Sequence, residues 1–273
     1  MRPMIMLVLC LLILLVGLAT VTVSSADLES RLVNGDVATY TEFPWMVSLR
    51  RTTSKSHTCG AAIVTPDHVI TAAHCVADDV PTPISPDARF VVTGQLSNVA
   101  GGRATDVAGV RIHPEYDPSA TWRNDIAVLK LATPIPFNAL ELPVPIASAD
   151  VGVQPCILSG WGRAYTPASG LPSRLQKQIL ETMTKETCIE TWGNSSIYDS
   201  TLCAGGVLGE GVCSGDSGGP LVCNGELAGI VSWGNLCANG LPDGFTRVFY
   251  YRDWILENIA DVTPQENRAV LTD

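Results

Sequence analysis

Short runs in which apolar and polar residues alternate dominate the chain, such as Trp45-Met46-Val47-Ser48-Leu49 and Asp125-Ile126-Ala127-Val128-Leu129-Lys130-Leu131. Successive side chains of a strand point to opposite faces, so a period of two reads as half-buried β-structure. Loop punctuation falls between the runs, at Pro81-Thr82-Pro83, Gly101-Gly102 and Pro134-Ile135-Pro136. The pattern predicts an all-β chain. One helical stripe interrupts it near the end, where Tyr251, Ile255 and Ile259 recur every four residues beside Trp254, Asn258 and Val262. This predicts a C-terminal helix packed on a barrel. The stretch from Thr263 to Asp273 is polar and is expected to fray.

The other extreme of the pattern lies at the start. Met1-Arg2-Pro3 leads into an uninterrupted apolar run from Met4 to Ala19, followed by small residues ending Ser24-Ser25-Ala26. The run falls short of the roughly 20 residues that span a bilayer. With a cleavage pattern behind it, residues 1–26 read as a secretory signal peptide cut after Ala26. No second run of that kind follows, so a soluble, secreted, monomeric product is expected. Roughly 230 residues remain, enough for one large β domain or two small barrels, with no internal repeat or long linker.

Composition refines this picture in two ways. The formal charge is −10, and residues 1–31 contribute Arg2 and Arg31 against Asp27 and Glu29, so it survives their removal. Such a surface argues against nucleic acid and anionic membranes as partners. Removing Cys10 from the nine cysteines leaves eight, an even number in a secreted chain, which reads as a disulfide framework of open connectivity. Metal ligation is a weak alternative, because no Cys-x-x-Cys spacing occurs and only His74 stands beside a cysteine.

Chemistry enters with Thr71-Ala72-Ala73-His74-Cys75, Asn124-Asp125-Ile126-Ala127 and Gly215-Asp216-Ser217-Gly218-Gly219-Pro220. A serine hydroxyl is a poor nucleophile unless an imidazole takes its proton, and a carboxylate must orient that imidazole and stabilise its cation. Ser217, His74 and Asp125 fit these three roles. The glycines around Ser217 suit a tight turn whose Gly215 and Ser217 N–H groups face one point, as an oxyanion hole requires.

These segments, together with Cys156-Ile157-Leu158-Ser159-Gly160-Trp161-Gly162 and Val231-Ser232-Trp233-Gly234, resemble the chymotrypsin-like (trypsin family) serine endopeptidases from about Leu32 to Val262. The resemblance implies two six-stranded antiparallel β-barrels around a cleft, with a boundary near residue 141. His74 and Asp125 then lie in the first barrel and Ser217 in the second. It also implies disulfides Cys59–Cys75, Cys156–Cys223, Cys188–Cys203 and Cys213–Cys237. Residues 27–31 become an activation propeptide: a cut between Arg31 and Leu32 frees an amine that pairs with Asp216. Protein or peptide substrates, an activating protease and protein protease inhibitors are the implied partners.

The implied substrate pocket comprises Gly211, Ser214, Ser232, Trp233, Gly234, Asp243 and Gly244. It departs from trypsin, because Gly211 stands six before Ser217 where a charged floor is expected. Aligning Leu241-Pro242-Asp243-Gly244-Phe245-Thr246-Arg247-Val248 on its proline and Thr-Arg-Val puts Asp243 where relatives carry a pocket glycine. By analogy with invertebrate digestive members that share this swap, both basic and large apolar P1 residues are expected. Purely apolar and strictly basic preferences stay open, and a one-residue shift would bring Glu210 near the floor. Gly234 and Gly244 are expected to leave the mouth open.

His57, His68 and His113 lack the Ala-Ala-His-Cys setting and read as surface or strand-end histidines. Asn194-Ser195-Ser196 is a glycosylation sequon. No glutamate lies between Phe90 and Ile112, so the family's calcium site is not expected, nor is any cofactor. A catalytically dead binding protein and a cascade protease are the rival functions. The intact motifs oppose the first, and the cysteine-free segment of about five residues before Leu32 opposes the second.

Overall fold

The computed structural model describes residues 35–77, 82–163, 170–193, 195–235 and 237–260. The expectations for residues 1–26 and 27–31, for Leu32, Asn194 and Pro81, and for the tail from Thr263 to Asp273 lie outside these residues.

Six strands close the first barrel in the order β2-β3-β4-β7-β6-β5. They are β2 (Met46–Arg51), β3 (His57–Thr65), β4 (His68–Thr71), β5 (Arg89–Thr93), β6 (Arg103–Ile112) and β7 (Ala127–Leu131), every neighbour antiparallel. The alternation read in the sequence places Val47, Leu49, Ile63, Ile70 and Leu129 in its core, each fully buried. A closed barrel leaves no edge strand to pair with another chain.

The second sheet runs β1-β9-β8-β11-β12-β13-β10. Its strands are β1 (Asp36–Val37), β8 (Pro155–Gly160), β9 (Gln176–Glu181), β10 (Thr201–Gly205), β11 (Pro220–Cys223), β12 (Glu226–Trp233) and β13 (Pro242–Arg247). Six of them curl into the second barrel. A single bridge, Thr182 to Ala204, joins the two ends in place of a ladder, and β1 adds a short seventh strand on β9. Leu158, Leu180, Leu221 and Phe245 fill this core.

Among the described residues two α-helices complete the fold. The helical stripe becomes a 3-10 turn over Val248–Tyr251 that continues as α2 (Arg252–Ile259), and Ile255 is buried in the first barrel's cluster. Helix α1 (Lys185–Trp192) is an element the pattern did not disclose. Only Cys188 on it is buried, so it has almost no apolar stripe, and its start is marked by Thr184, whose side chain accepts the Thr187 N–H. Four disulfides join Cys59 to Cys75, Cys156 to Cys223, Cys188 to Cys203 and Cys213 to Cys237.

Candidate active site

The first barrel supplies a histidine and a carboxylate from two of its strand ends. His74 lies in a 3-10 turn, Ala73–Cys75, just after β4, and Cys75 is tied to β3 by its disulfide. Asp125 follows Asn124, which takes the left-handed conformation at φ 57°. That uncommon backbone is held by two bonds of the Asn124 side chain: its amide donates to the Glu115 carbonyl at 2.7 Å and its oxygen accepts from the Tyr251 hydroxyl at 2.6 Å.

Asp125 is almost wholly buried and fully partnered. Its Oδ1 accepts the His74 backbone N–H at 2.9 Å, and its Oδ2 accepts both the His74 ring at 2.7 Å and the Ser232 hydroxyl at 2.6 Å. Its carbonyl oxygen accepts from Thr246 at 2.6 Å. An ionised carboxylate only accepts, so the His74 proton sits on Nδ1 and Nε2 is left as a base. Burial alone lowers the His74 pKa, but the charge and hydrogen bond of Asp125 outweigh it, and the net shift is upward.

The second barrel brings Ser217 to the same place on a turn braced at every step. Asp216 N–H donates to the Cys213 carbonyl at 3.0 Å, Gly218 N–H to Val231 at 2.8 Å, and the Ser217 carbonyl accepts from Gly60 of the first barrel at 2.8 Å. Gly215 adopts φ 105°, which only glycine holds without strain, and a Cβ there would come within 2.8 Å of Leu171. The Ser214 carbonyl accepts from the Arg163 N–H at 3.0 Å. Peptides are planar and trans, so the Gly215 N–H lies on the side opposite Arg163.

His74, Ser214, Ser217, Ser232, Trp233 and Gly234 line one cavity of about 290 Å³. Of the other pocket residues, Asp243 lies directly behind this wall. It is buried, its Oδ2 accepts the Val212 N–H at 2.8 Å, and Val212 itself lines the cavity. Cβ atoms built on Gly211 and Gly234 would each lie 2.5 Å from an Asp243 oxygen, so both positions must be glycine for the carboxylate to fit. Burial pushes the Asp243 pKa up to about 7, with the Val212 bond opposing the rise and the Asp216 charge adding to it.

Three expectations are corrected. Gly244 does not open a mouth: it pairs with Trp233 across β12 and β13, and a Cβ there would strike the indole at 2.1 Å, so it seats that ring. Glu210 does not reach the cavity wall, and its N–H closes a turn on the Val207 carbonyl at 3.0 Å. His57 and His68 begin strands as expected but are buried, at 8% and 5% exposure; His57 is covered by the Gly215 turn and the Trp161 ring. His113 packs its ring on Tyr251 and Trp254.

Asp216 accepts the Gly162 N–H at 2.7 Å and the Cys213 N–H at 3.0 Å. It is completely buried, which raises its pKa to about 7 against those two bonds. Its expected partner, the Leu32 amine, lies outside the described residues. Trp122 is a site residue that sequence reasoning missed. Its ring meets the His74 ring edge-on at 5.0 Å and lines the cavity, and its position three before Asp125 was the available signal. Cys59, His74 and Cys75 cluster within 4.8 Å, but the two sulfurs are bonded to each other and hold no thiolate for a metal.

Comparisons with known proteins fit this geometry. Residues 32–255 match the family profile described as Trypsin. Trypsin beta of Drosophila erecta is 33% identical over 235 residues, which cover 85% of this chain and 90% of that protein. Trypsin delta of the same fly is 34% identical over 236 residues, with the same coverage. Transmembrane protease serine 9 of Rattus norvegicus is 37% identical over 260 residues, which cover 89% of this chain and 24% of that protein. Among the described residues no helix is long and apolar enough to cross a membrane. With two barrels, a buried carboxylate bonded to a cleft histidine, and a braced serine turn in one cavity, the chain belongs to the trypsin family of serine endopeptidases.

Proposed function

We propose that this chain hydrolyses peptide bonds through an acyl-enzyme on Ser217. The observation that carries the reading is the Asp125–His74 bond at 2.7 Å, which fixes a basic Nε2 in the cavity that Ser217 lines. His74 takes the Ser217 proton as Oγ bonds to the scissile carbonyl carbon. The Gly215 and Ser217 N–H groups receive the negative oxygen. His74 then gives that proton to the departing amine, the C–N bond breaks, and water repeats the cycle to free Ser217.

The same reading covers maturation and specificity. Residues 1–26 direct secretion, and a cut after Arg31 frees Leu32 to pair with Asp216, whose burial without a cation is costly. Asp243, behind Val212 and Gly234 of the wall, gives the pocket a carboxylate for basic P1 side chains, while the cavity admits large apolar ones. A short propeptide and broad preference suit a digestive enzyme acting on dietary protein and restrained by protein inhibitors.

A fluorophosphonate tests the central claim. The cut protein should take one label, on Ser217, and lose it in Ser217→Ala. A folded, cut protein that neither takes the label nor hydrolyses peptides overturns the proposal.

A further inference from the structure

The turn that carries Gly215 is held from the first barrel by a single side chain. The His57 Nε2 lies 2.9 Å from the Gly215 carbonyl. Its Nδ1 lies 2.8 Å from the Ser48 hydroxyl, which in turn accepts Arg50 Nε–H at 3.1 Å. Arg50 is itself buried, and its Nη2 donates to Gln95 Oε1 at 3.2 Å and to the Asn98 carbonyl at 2.8 Å. Register places it opposite His57 across β2 and β3.

The direction of every bond follows from the two ends. A guanidinium only donates, and a carbonyl only accepts. The Gly215 carbonyl fixes the ring proton on Nε2. In a neutral ring Nδ1 is then bare and accepts the Ser48 O–H, while the Ser48 oxygen accepts Arg50 Nε–H. Burial keeps the ring neutral by lowering its pKa to about 4, and the Arg50 charge acts the same way against a smaller, opposite effect of the Gly215 bond. With the Ser214 carbonyl held by Arg163 and the Gly215 carbonyl held by His57, both peptides that flank the Gly215 Cα have their planes set.

We propose that Arg50 is a positioning residue for the reaction: by holding the Ser48 hydroxyl that donates to His57 Nδ1, it fixes the His57 ring and so the orientation of Gly215 in the oxyanion turn. The inference rests on the reading of Gly215 as an oxyanion donor. The groups that face His57 are Ser48 and Arg50 from β2, the Gly215 carbonyl from the turn, and the Trp161 ring at 5.4 Å. Arg50 is the cation among them. The nearby Asp216 carboxylate is occupied by the Gly162 and Cys213 N–H groups.

Removing one oxyanion donor outright costs about 10²–10³ in kcat, and a donor left in place but free to turn should cost less, about 5–50-fold. Arg50→Met keeps the aliphatic stem and removes the donor. It should lower kcat by that factor, leave KM within about twofold, and weaken a peptide boronate in parallel with kcat/KM. Nitrogen-15 spectra of the ring should show the His57 Nδ1 resonance shifting as it loses the ordered Ser48 hydrogen bond, with the proton still on Nε2. The loss of the Arg50 charge should also raise the His57 pKa, so the acid limb of the variant's kcat profile should steepen.

Arg50→Lys, which can still donate to Ser48, should recover most of the rate. Ser48→Ala breaks the chain from inside while leaving the Gln95 and Asn98 anchors of Arg50, and it serves if Arg50→Met does not fold. Enzyme concentration is set by fluorophosphonate titration, so a failure of the serine-peptidase reading shows as an unlabelled wild type. In labelled, folded variants, unchanged kcat and boronate affinity, or a rate loss with the His57 Nδ1 resonance unmoved, overturns the proposal.

Discussion

On the proposed reading of the pocket, the placement of Asp243 makes P1 preference a function of pH. Its carboxylate is 3% exposed, holds one hydrogen bond from Val212, and has a pKa raised from the usual 3.8 to about 7. Above pH 7 it is ionised and attracts an arginine or lysine side chain; below pH 7 it is neutral and the pocket reads as apolar. A desolvated ion pair at such a site contributes about 2–4 kcal/mol, or roughly 30- to 700-fold in kcat/KM. The assay is the ratio of kcat/KM for matched Arg and Phe peptides from pH 5.5 to 9. Protonation of His74 affects both substrates alike and cancels in the ratio, and Asp216 enters it only through the effect of its charge on Asp243. The ratio should be flat above about pH 8 and fall toward a tenfold drop per pH unit below 7. Asp243→Asn should flatten it at the low value. A wild-type ratio independent of pH, or one that Asp243→Asn leaves unchanged, refutes the reasoning.

Other expected outcomes follow from the same geometry. Ser217→Ala and His74→Ala should each lower kcat by on the order of 10⁶, with a smaller loss for Asp125→Asn, as peptide hydrolysis by titrated enzyme will show. Asp216 has a raised pKa, so the folded chain binds more protons than the unfolded one between about pH 4 and 7, and stability falls as pH rises through that window. Calorimetry should find this fall in the uncut chain and much less of it after the cut at Arg31, where the Leu32 amine pairs with the carboxylate; equal slopes would contradict the pairing. In the cut enzyme that amine, ordinarily near pH 8, should have a raised pKa, so the pair is intact at lower pH and activity is lost as pH rises through the raised value. Gly244→Ala drives a methyl into the Trp233 indole and should cut kcat/KM for every substrate, with the shift visible in Trp fluorescence.

What the chain disclosed on its own was its periodicity and its chemistry. Two-residue alternation at Met46–Leu49 and Ala127–Leu131 identified strands, because one face of each points its apolar side chains into the barrel core while the other carries Ser48 and Lys130. His74, Asp125 and Ser217 were legible because nucleophilic catalysis constrains residue type and local backbone together. Helix α1 was hidden for the opposite reason: with a disulfide at Cys188 to hold it, it needs no apolar face, and no period of 3.6 is written into it. Trp122 and His57 were hidden because their roles are set by contacts across the fold, 5.0 Å from the His74 ring in one case and 2.9 Å from the Gly215 carbonyl in the other.

The two buried aspartates show why spacing alone did not resolve the pocket. Asp216 and Asp243 lie 27 positions apart, yet both carboxylates accept from one short backbone segment, Asp243 from the Val212 N–H and Asp216 from the Cys213 N–H. Each raises the cost of ionising its neighbour, and the Asp216 charge contributes to the Asp243 shift. Neutralising Asp216 with the Leu32 amine therefore makes ionisation of Asp243 easier, and a cation in the pocket favours the charged form of Asp216 in return, since linkage between two sites is reciprocal. On the proposed reading, activation and basic-side-chain preference share one electrostatic balance, carried by two consecutive peptide N–H groups, and the glycines at 211 and 234 are what let the second carboxylate reach it.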